Sequence, residues 1–240
     1  VLSLFLFLVS SNQVMAQTSS DIDRVEIACN EWPPYIFTEN SIVTGPSYEI
    51  ARDVLARAGI PFVYKVKPFP RVYNNGLTKR NYLIGCVGRT PAREKLFHWI
   101  GPVTQGIEVF FYKLKANPTK LSSLEQARQY QITTLRGSYY HEFLQQNGFK
   151  EQKILSVSLR EQSFNLLLIG RYPFYLIDEV QLLDMAKQQN VDPLLFEKAL
   201  YAFSVKDYLA FSLNSSSVLV KKVGRAYQQL QAEGKIVLPK

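Results

Sequence analysis

Residues whose side chains can bind or react follow several of the predicted strands. They form four clusters: residues 32–35, residues 69–71, residues 86–93, and residues 137–139 taken together with Asp178. In open α/β sheets, ligands bind beyond the carboxyl ends of the strands, where loops meet the N-termini of helices. These four clusters are therefore the first candidates for a functional site.

The chemistry available in these clusters does not favour catalysis. The sequence has no Gly-x-Ser-x-Gly motif, no paired cysteine or histidine spacing for a metal, and no glycine loop for a nucleotide. A histidine-based nucleophilic site needs a histidine beside a serine or cysteine, and we interpret His98 and His141, the two histidines, as surface or packing residues. We therefore expect no enzyme activity, no cofactor and no metal.

The elements that position these clusters alternate between strands and helices. Strands are predicted over residues 25–29, 60–66 and 82–87, and a helix begins at Ser47 with apolar residues at a 3.6-residue period. A second set has strands over residues 131–135, 153–157 and 172–177, and Asp178 ends the last of these. The β-then-α order predicts parallel sheets in an α/β fold.

The order of elements also predicts how the chain divides into two lobes. We place one crossing in the polar, proline-bearing stretch 113–119 and the return near residues 203–206, ahead of a late strand and a final helix. Residues 17–112 and 206–240 then form lobe 1, and residues 113–205 form lobe 2. The chain is long enough for each lobe to bury a core of its own.

The first sixteen residues are typical of a secretory signal peptide. An apolar run from Val1 to Val9 is followed by polar residues and then by Val14-Met15-Ala16, which predicts cleavage after Ala16. The run is far shorter than the roughly 20 apolar residues that span a bilayer. The sequence therefore predicts an exported protein that is not anchored in a membrane.

Basic residues exceed acidic ones, and the formal net charge is +8. The basic residues are scattered, and the chain has neither a zinc-finger spacing, nor an RNP-like motif, nor a basic heptad region. We expect a generally cationic surface and no nucleic-acid partner, while an anionic partner stays open.

The chain contains two cysteines, Cys29 and Cys86, each at the end of a predicted strand. Export places them in an oxidising compartment, where a bridge is more common than a free pair. The sequence does not give the Cα separation that decides pairing, so a disulfide and two buried thiols both stay open.

Six segments occur in an order that resembles a known family. They are EWPPYIF, GPSYEI, KPFPR, GRTPAREKLFHWIGPV, LRGSYY and YLIDEVQLL. From about residue 25 to the C-terminus, this order is similar to that of bacterial extracellular solute-binding proteins, family 3. The resemblance implies a periplasmic binding protein-like fold, with two α/β lobes, a ligand cleft between them and two hinge crossings. It also implies a periplasmic monomer that binds an amino acid or similar metabolite and delivers it to the permease of an ABC transporter.

The resemblance assigns two charged residues to the ligand. Arg93 matches the arginine of the family's Thr-x-x-Arg turn, which binds the ligand carboxylate, and a guanidinium makes a strong bidentate pair with a carboxylate. Asp178 matches the acid that receives the α-amino group. Two alternatives stay open: that Arg93 is a surface residue paired with Glu94 or another acid, and that Asp178 only caps the following helix.

Other residues complete the site that the resemblance implies. Ser138 and Tyr139 belong to the turn whose N–H groups and hydroxyl meet the ligand carboxylate at a helix N-terminus. Tyr35 matches the ring that covers the ligand. Trp32 and Phe69 are candidates for an apolar wall, with plain core packing as the alternative. Cys86 and Gly88 stand where hydroxyl residues are common in the family, which puts an ordinary α-amino acid ligand in question.

Two other functions stay open beside solute import. A dehydratase-like enzyme of the same fold would need a general acid in the cleft, with Asp178 or Glu31 as candidates. Alternatively, the protein senses a ligand without serving a transporter. In the leading interpretation, the lobes hinge at residues 113–117 and 203–206 and trap the ligand.

Overall fold

The structure is a computed structural model that describes residues 24–239. The predicted signal peptide lies outside the described residues. Along the chain the strands are β1 (Val25–Cys29), β2 (Phe37–Glu39), β3 (Ile42–Thr44), β4 (Phe62–Val66), β5 (Tyr82–Gly88), β6 (Phe97–Pro102), β7 (Ile107–Leu114), β8 (Ile132–Leu135), β9 (Ile154–Val157), β10 (Phe174–Asp178), β11 (Phe196–Val205) and β12 (Asp207–Ser212).

Seven α-helices and two short 3₁₀ turns accompany these strands in the described chain. The helices are α1 (Pro46–Arg57), α2 (Phe69–Thr78), α3 (Leu124–Ala127), α4 (Tyr139–Gln146), α5 (Arg160–Leu168), α6 (Glu179–Gln188) and α7 (Ser217–Ala232), and the 3₁₀ turns are Glu151–Lys153 and Pro193–Leu195. Apolar residues at helical spacing, such as Ile50, Val54 and Leu55 of α1, are buried against the sheets.

Two five-stranded mixed sheets form the centres of two lobes. The first has the order β4-β1-β5-β12-β6, and the second has the order β11-β7-β10-β8-β9. Strands β1, β4 and β5 pair in parallel, as do β8, β9 and β10, so the predicted β-then-α order describes the parallel part of each sheet. Antiparallel strands complete both sheets.

The chain passes from the first sheet to the second between Pro102 and Ile107, and it returns at Lys206. The sequence-based boundary after residue 112 falls inside β7, and the predicted crossing at 113–119 begins within that strand. The reason is that β7 pairs with β10 and β11, and its side chains Val109 and Phe111 are fully buried in the second lobe.

Each face of the first sheet is covered by helices. α1 and α7 pack on one face around Val54, Leu55 and Val223, and α2 packs on the other around Val72 and Ile84. A third and larger core fills the second lobe and continues across the cleft, because aromatic residues that follow β1 belong to the same cluster as residues of α4. The two lobes are therefore in contact. None of the described helices has the length and apolar composition needed to cross a bilayer.

Candidate functional site

A small cavity lies between the two lobes. Its volume is about 40 Å³, and it is lined from the first lobe by Asn30, Trp32, Phe69, Cys86 and Asp207, and from the second by Leu135, Ser138, Tyr139, Tyr140, Arg160 and Gln181. A groove of about 260 Å³ shares Asn30, Phe69, Leu135 and Arg160 with it. The cavity and the groove together form a cleft between the lobes.

The ends of strands bring these residues together. Asn30 follows β1, Cys86 lies near the end of β5, and α4 and α6 begin directly after β8 and β10 at the facing edge of the second sheet. Asp207 reaches the same edge differently, because β12 runs antiparallel to β5 and its first residue lies opposite Gly88. The predicted location of the site, at the carboxyl ends of parallel strands, describes most of the cleft but not the position of Asp207.

Two buried acceptor oxygens of the cavity lining have no hydrogen-bond partner among the described residues: Asp207 Oδ2 and Gln181 Oε1. Asp207 is 3% exposed and Gln181 is 1% exposed. The other end of the Gln181 amide is used, since Nε2 donates to the Pro33 carbonyl at 2.7 Å. Buried acceptors without a donor cost free energy, and such groups in a folded protein point to a bound partner.

Burial raises the pKa of Asp207 to about 7, with Arg93 acting to lower it and the charge of Asp178 acting to raise it further. Both backbone groups of Asp207 are hydrogen-bonded: its N–H donates to Thr104 Oγ1 at 3.0 Å, and its carbonyl accepts from Val103 N at 2.8 Å. Asp207 is thus held rigidly at the base of the cleft, beside the return crossing.

Arg93 is fully buried but does not line the cavity. Its Nη2 and Nε donate to the two carboxylate oxygens of Glu142 at 2.7 and 2.9 Å, and Nη2 lies 3.3 Å from the Gly137 carbonyl oxygen. The guanidinium also packs over the rings of Tyr73 and Phe69, at 4.7 and 5.7 Å from their centroids. Its Nη1 has no hydrogen-bond partner in the described chain.

This ion pair joins the lobes, because Arg93 lies between β5 and β6 and Glu142 lies on α4. Glu94, a partner that the sequence left open for Arg93, pairs instead with Arg89, whose Nε donates to Glu94 Oε2 at 2.8 Å. The assignment of Arg93 as anchor of a ligand carboxylate stays a prediction, and Glu142 already occupies the Nε and Nη2 donors.

Asp178 is also buried outside the cavity lining, and both of its carboxylate oxygens have partners. Oδ2 accepts from the hydroxyl of Tyr140 at 2.6 Å, and Oδ1 accepts from the N–H of Gln181 at 2.9 Å, so that Asp178 caps α6. Burial raises its pKa, and these two hydrogen bonds act in the opposite direction. A role in binding a ligand amino group stays a prediction.

The remaining sequence-predicted residues divide into two groups. Trp32, Phe69, Ser138 and Tyr139 line the cavity. The Ser138 hydroxyl is used locally, since it donates to the Leu135 carbonyl at 2.6 Å and caps α4.

Tyr35 and Gly88 lie behind the cavity wall. Tyr35 is fully buried against the ring of Trp32, with centroids 4.4 Å apart. Gly88 faces Tyr139, and a Cβ at this glycine would lie 2.4 Å from Tyr139 Cδ1. Sequence reasoning missed Asn30, Leu135, Tyr140, Arg160, Gln181 and Asp207, which all line the cavity.

Cys29 and Cys86 form a disulfide, and their Cα atoms are 5.6 Å apart. The bridge joins β1 to its parallel neighbour β5 at the edge of the cleft. The Oδ1 atom of Asn30 lies 3.7 Å from the Cys29 sulfur and 3.8 Å from the Cys86 sulfur. The disulfide therefore forms part of the wall behind Asn30.

Two further hydrogen bonds cross the cleft. Arg160 Nη2 donates to the Glu31 carbonyl at 2.8 Å, and Gln181 donates to Pro33 as described above. With the Arg93–Glu142 pair, they connect the loop after β1 and the turn after β5 to three helices of the second lobe, α4, α5 and α6. The structure thus holds the lobes closed around the small cavity.

Comparison with known proteins identifies both a family and a fold. The sequence model of bacterial extracellular solute-binding proteins, family 3, matches residues 25–237. No curated protein sequence matches the chain significantly.

Three solved structures illustrate the similarity in fold. A histidine kinase sensor domain with similarity to periplasmic binding proteins has a TM-score of 0.77 at 14% identity, over 89% of this chain and 92% of that one. The amino acid ABC transporter substrate-binding protein AbpA of Streptococcus pneumoniae, bound to L-arginine, has a TM-score of 0.71 at 15% identity, over 89% and 90% of the chains. The arginine-, lysine-, histidine-binding protein ArtJ of Geobacillus stearothermophilus has a TM-score of 0.70 at 16% identity, over 89% and 91%. These similarities confirm the predicted two-lobed periplasmic binding protein-like fold.

Proposed function

Because this chain belongs to the bacterial extracellular solute-binding proteins, family 3, we propose that it is a periplasmic protein that captures a small amino-acid-like metabolite between its lobes. The closed protein then presents the solute to the permease of an ABC transporter, and it does so as a monomer without altering the solute. In this proposal, residues 24–102 and 207–239 act as one lobe and residues 107–205 as the other. The crossings between them act as the hinge.

The observation that carries this proposal is the cavity between the lobes with its two unpartnered acceptors, Asp207 Oδ2 and Gln181 Oε1. They come from opposite lobes, so one small molecule that donates hydrogen bonds to both would stabilise the closed state over the open one. Ligand binding would thereby shift the population toward the closed form. The apolar ring faces of Trp32 and Phe69 would cover the carbon skeleton of the same molecule.

The similar structures support an amino-bearing solute. AbpA of S. pneumoniae is bound to L-arginine, and ArtJ of G. stearothermophilus binds arginine, lysine and histidine. All three compounds carry amino groups that donate hydrogen bonds, and the two fully buried unpartnered atoms of the cavity lining in this chain are acceptors.

A second candidate function is ligand sensing without transport. The observation that favours it is the similarity in fold to a histidine kinase sensor domain, which extends over 89% of this chain. Capture of the solute in the cleft is common to both functions. They differ in the partner that recognises the closed lobes.

The first prediction is that a solute from a defined panel raises the melting temperature of the mature protein. The panel contains amino acids, opines, polyamines and small carboxylates. A ligand that binds only the folded state adds about 2.7 kcal/mol at a hundredfold excess over its Kd. For a chain of this size, that stabilisation corresponds to a shift of about 5–10 °C.

Differential scanning fluorimetry measures the shift, and mass spectrometry after incubation shows whether the solute is unchanged. Consumption of the solute would support the dehydratase-like alternative. Absence of any shift across the panel, with folded and ligand-free protein, would contradict the capture of an amino-acid-like solute.

A further inference from the structure

The charges around the cavity leave it with an excess of negative charge. Arg93 is neutralised by the bidentate pair with Glu142, and Lys67, which lines the groove, is paired with Glu26. Arg160 is the remaining cation of the cavity and groove lining. Against Arg160 stand two buried carboxylates, Asp178 and Asp207. The charge missing from the closed cleft is therefore positive.

The hydrogen-bonding groups of the lining indicate the same chemistry. Among the residues that line the cavity, the fully buried side-chain atoms without a partner are the two acceptors Asp207 Oδ2 and Gln181 Oε1. The tyrosine hydroxyls donate within the protein, because Tyr139 Oη is 3.2 Å from Tyr140 Oη, and Tyr140 donates to Asp178. The donors for these two acceptors must come from the ligand.

Aromatic rings occupy much of the remaining wall. Trp32, Phe69, Tyr139 and Tyr140 all line the cavity. Organic cations bind against aromatic faces, and the attraction increases when water is excluded. A carboxylate at the base and rings along the sides are suited to an ammonium or guanidinium group.

Glu142 occupies one bidentate edge of the Arg93 guanidinium. Two N–H groups of the guanidinium already bind its two oxygens, which is the bidentate geometry expected for a ligand carboxylate. The Glu142 side chain is 23% exposed and that of Arg93 is 1% exposed, so the pair is mostly removed from water. A ligand carboxylate would have to displace this charged partner to bind the Nε–Nη2 edge, and only the unpartnered Nη1 is left to it otherwise.

We propose that the cleft selects organic cations through Asp207, Gln181 and the aromatic wall, and that it does not require a carboxylate on the ligand because Glu142 serves Arg93 as an internal one. This inference rests on the proposed solute-binding function and specifies its substrate class: small primary amines and guanidines. Such a ligand differs from an α-amino acid that is bound through both its carboxylate and its amino group.

The test uses matched sets of three probes, each set an amino acid, its decarboxylated amine and its deaminated acid. Arginine with agmatine and 5-guanidinovalerate is one set, and lysine with cadaverine and 6-aminohexanoate, which loses only the α-amino group, is another. Isothermal titration calorimetry at pH 8 should show that the amine of at least one set binds as tightly as its amino acid or more tightly. Simple carboxylates without any cationic group should not bind.

Two variants probe the residues. Asp207→Asn should weaken amine binding at least about tenfold, and Asp53→Asn on the exposed face of α1 is the control that should leave it unchanged. Glu142→Gln removes the internal carboxylate charge and should raise the affinity for the amino acid relative to its amine. Circular dichroism verifies that each variant is folded.

The outcomes separate the inference from the proposed function. An amino acid that binds wild type at least tenfold more tightly than its decarboxylated amine would show that the cleft binds a ligand carboxylate despite Glu142. That result overturns the inference and leaves the solute-binding function intact. Unchanged amine affinity in Asp207→Asn would likewise overturn it. Failure of every probe, carboxylates included, would count against the proposed function itself.

Discussion

At the scale of single residues, Asp207 illustrates how a binding group reduces stability. Burial raises its pKa to about 7, so the folded state favours the neutral acid over the carboxylate. A carboxyl group that binds its proton more tightly in the folded state contributes its full stability below the unfolded pKa of about 4. That contribution is lost as the pH rises toward 7. At neutral pH and above, the empty cleft therefore contains a destabilising charge.

The prediction that follows concerns Asp207→Asn. The variant should be more stable than wild type at pH 8, by about 2–4 kcal/mol, and the difference should disappear near pH 4. The charges of Arg93 and Asp178 act on the pKa of Asp207, and the charge of Asp207 acts on the pKa values of Tyr35 and Tyr139. These groups are present in both proteins. The difference between the two pH profiles of the free energy of unfolding therefore reflects the ionisation of Asp207. Urea unfolding at a series of pH values measures it, and a difference that does not change with pH would refute the prediction.

The residues of the site were predictable from the sequence in part. Trp32, Phe69, Ser138 and Tyr139 were found because they follow predicted strands, and they do line the cavity. The Arg93–Glu142 pair was not found, because it forms only when two lobes meet. Asp207 was missed because it begins an antiparallel strand, and a search at the carboxyl ends of strands passes over such a residue. The sequence did contain a signal for Asp207, because it is an acidic residue between the predicted return crossing and the apolar late strand.

At the scale of elements, the disulfide connects two strands that are already neighbours. The bridge closes a loop with a sequence separation of 57 residues. Loop-closure entropy for this length corresponds to about 4 kcal/mol of stabilisation in the chain-entropy model. Its position at the ends of β1 and β5 also fixes the loop that contains Trp32. One cross-link thereby stabilises the first lobe and one wall of the cleft.

The contact between β5 and α4 sets how closely the lobes approach. Gly88 at the end of β5 lies against the ring of Tyr139 at the start of α4, and there is no space for a Cβ between them. Gly88→Ala should therefore hold the lobes apart and weaken solute binding at least about tenfold, while each lobe keeps its own core. Gly224→Ala in α7 is the matched control, since a Cβ there meets no atom within 4 Å.

Calorimetry with the solute found in the panel measures both variants. The control should retain affinity and gain up to about 1 kcal/mol in stability, because alanine is a better helix former than glycine. Normal affinity in Gly88→Ala would show that Tyr139 can move aside and that this contact does not limit closure.

The elements themselves were predictable where their pattern was regular. The parallel strands are short apolar segments followed by helices, and the sequence prediction placed them within a few residues. β11 was missed because it is a half-buried edge strand whose pairing with β7 shifts register after Lys198 and after Tyr201. Such irregularities interrupt the alternation by which a strand is recognised. Ser158 and Glu161 have the spacing of a capping box, but the bond that forms lies one residue later, where Gln162 Oε1 accepts the N–H of Leu159 at 3.2 Å.

At the scale of the whole molecule, closure depends on a few polar contacts around a small cavity. The Arg93–Glu142 pair, the Arg160–Glu31 bond and the Gln181–Pro33 bond all cross the cleft. All three are made between protein atoms alone. A ligand adds to this closure through the interactions that these contacts leave unmade, among them those of Asp207 and Gln181 in the cavity lining.

The last prediction concerns Arg93→Met, which removes the interlobe ion pair but keeps an apolar chain against Tyr73. The ligand-free variant should be more open, and its radius of gyration in small-angle X-ray scattering should exceed that of wild type. If Glu142 is the internal partner of Arg93, amine affinity should fall by only about tenfold, because about 1.4 kcal/mol of closure energy is lost. If Arg93 instead anchors a ligand carboxylate, binding of the cognate solute should be abolished. Arg57→Met is the matched control, since it removes an arginine–glutamate pair with Glu233 that joins α1 to α7 within one lobe. It should change neither the radius of gyration nor the affinity. An unchanged radius of gyration in Arg93→Met would show that the ion pair does not hold the lobes together.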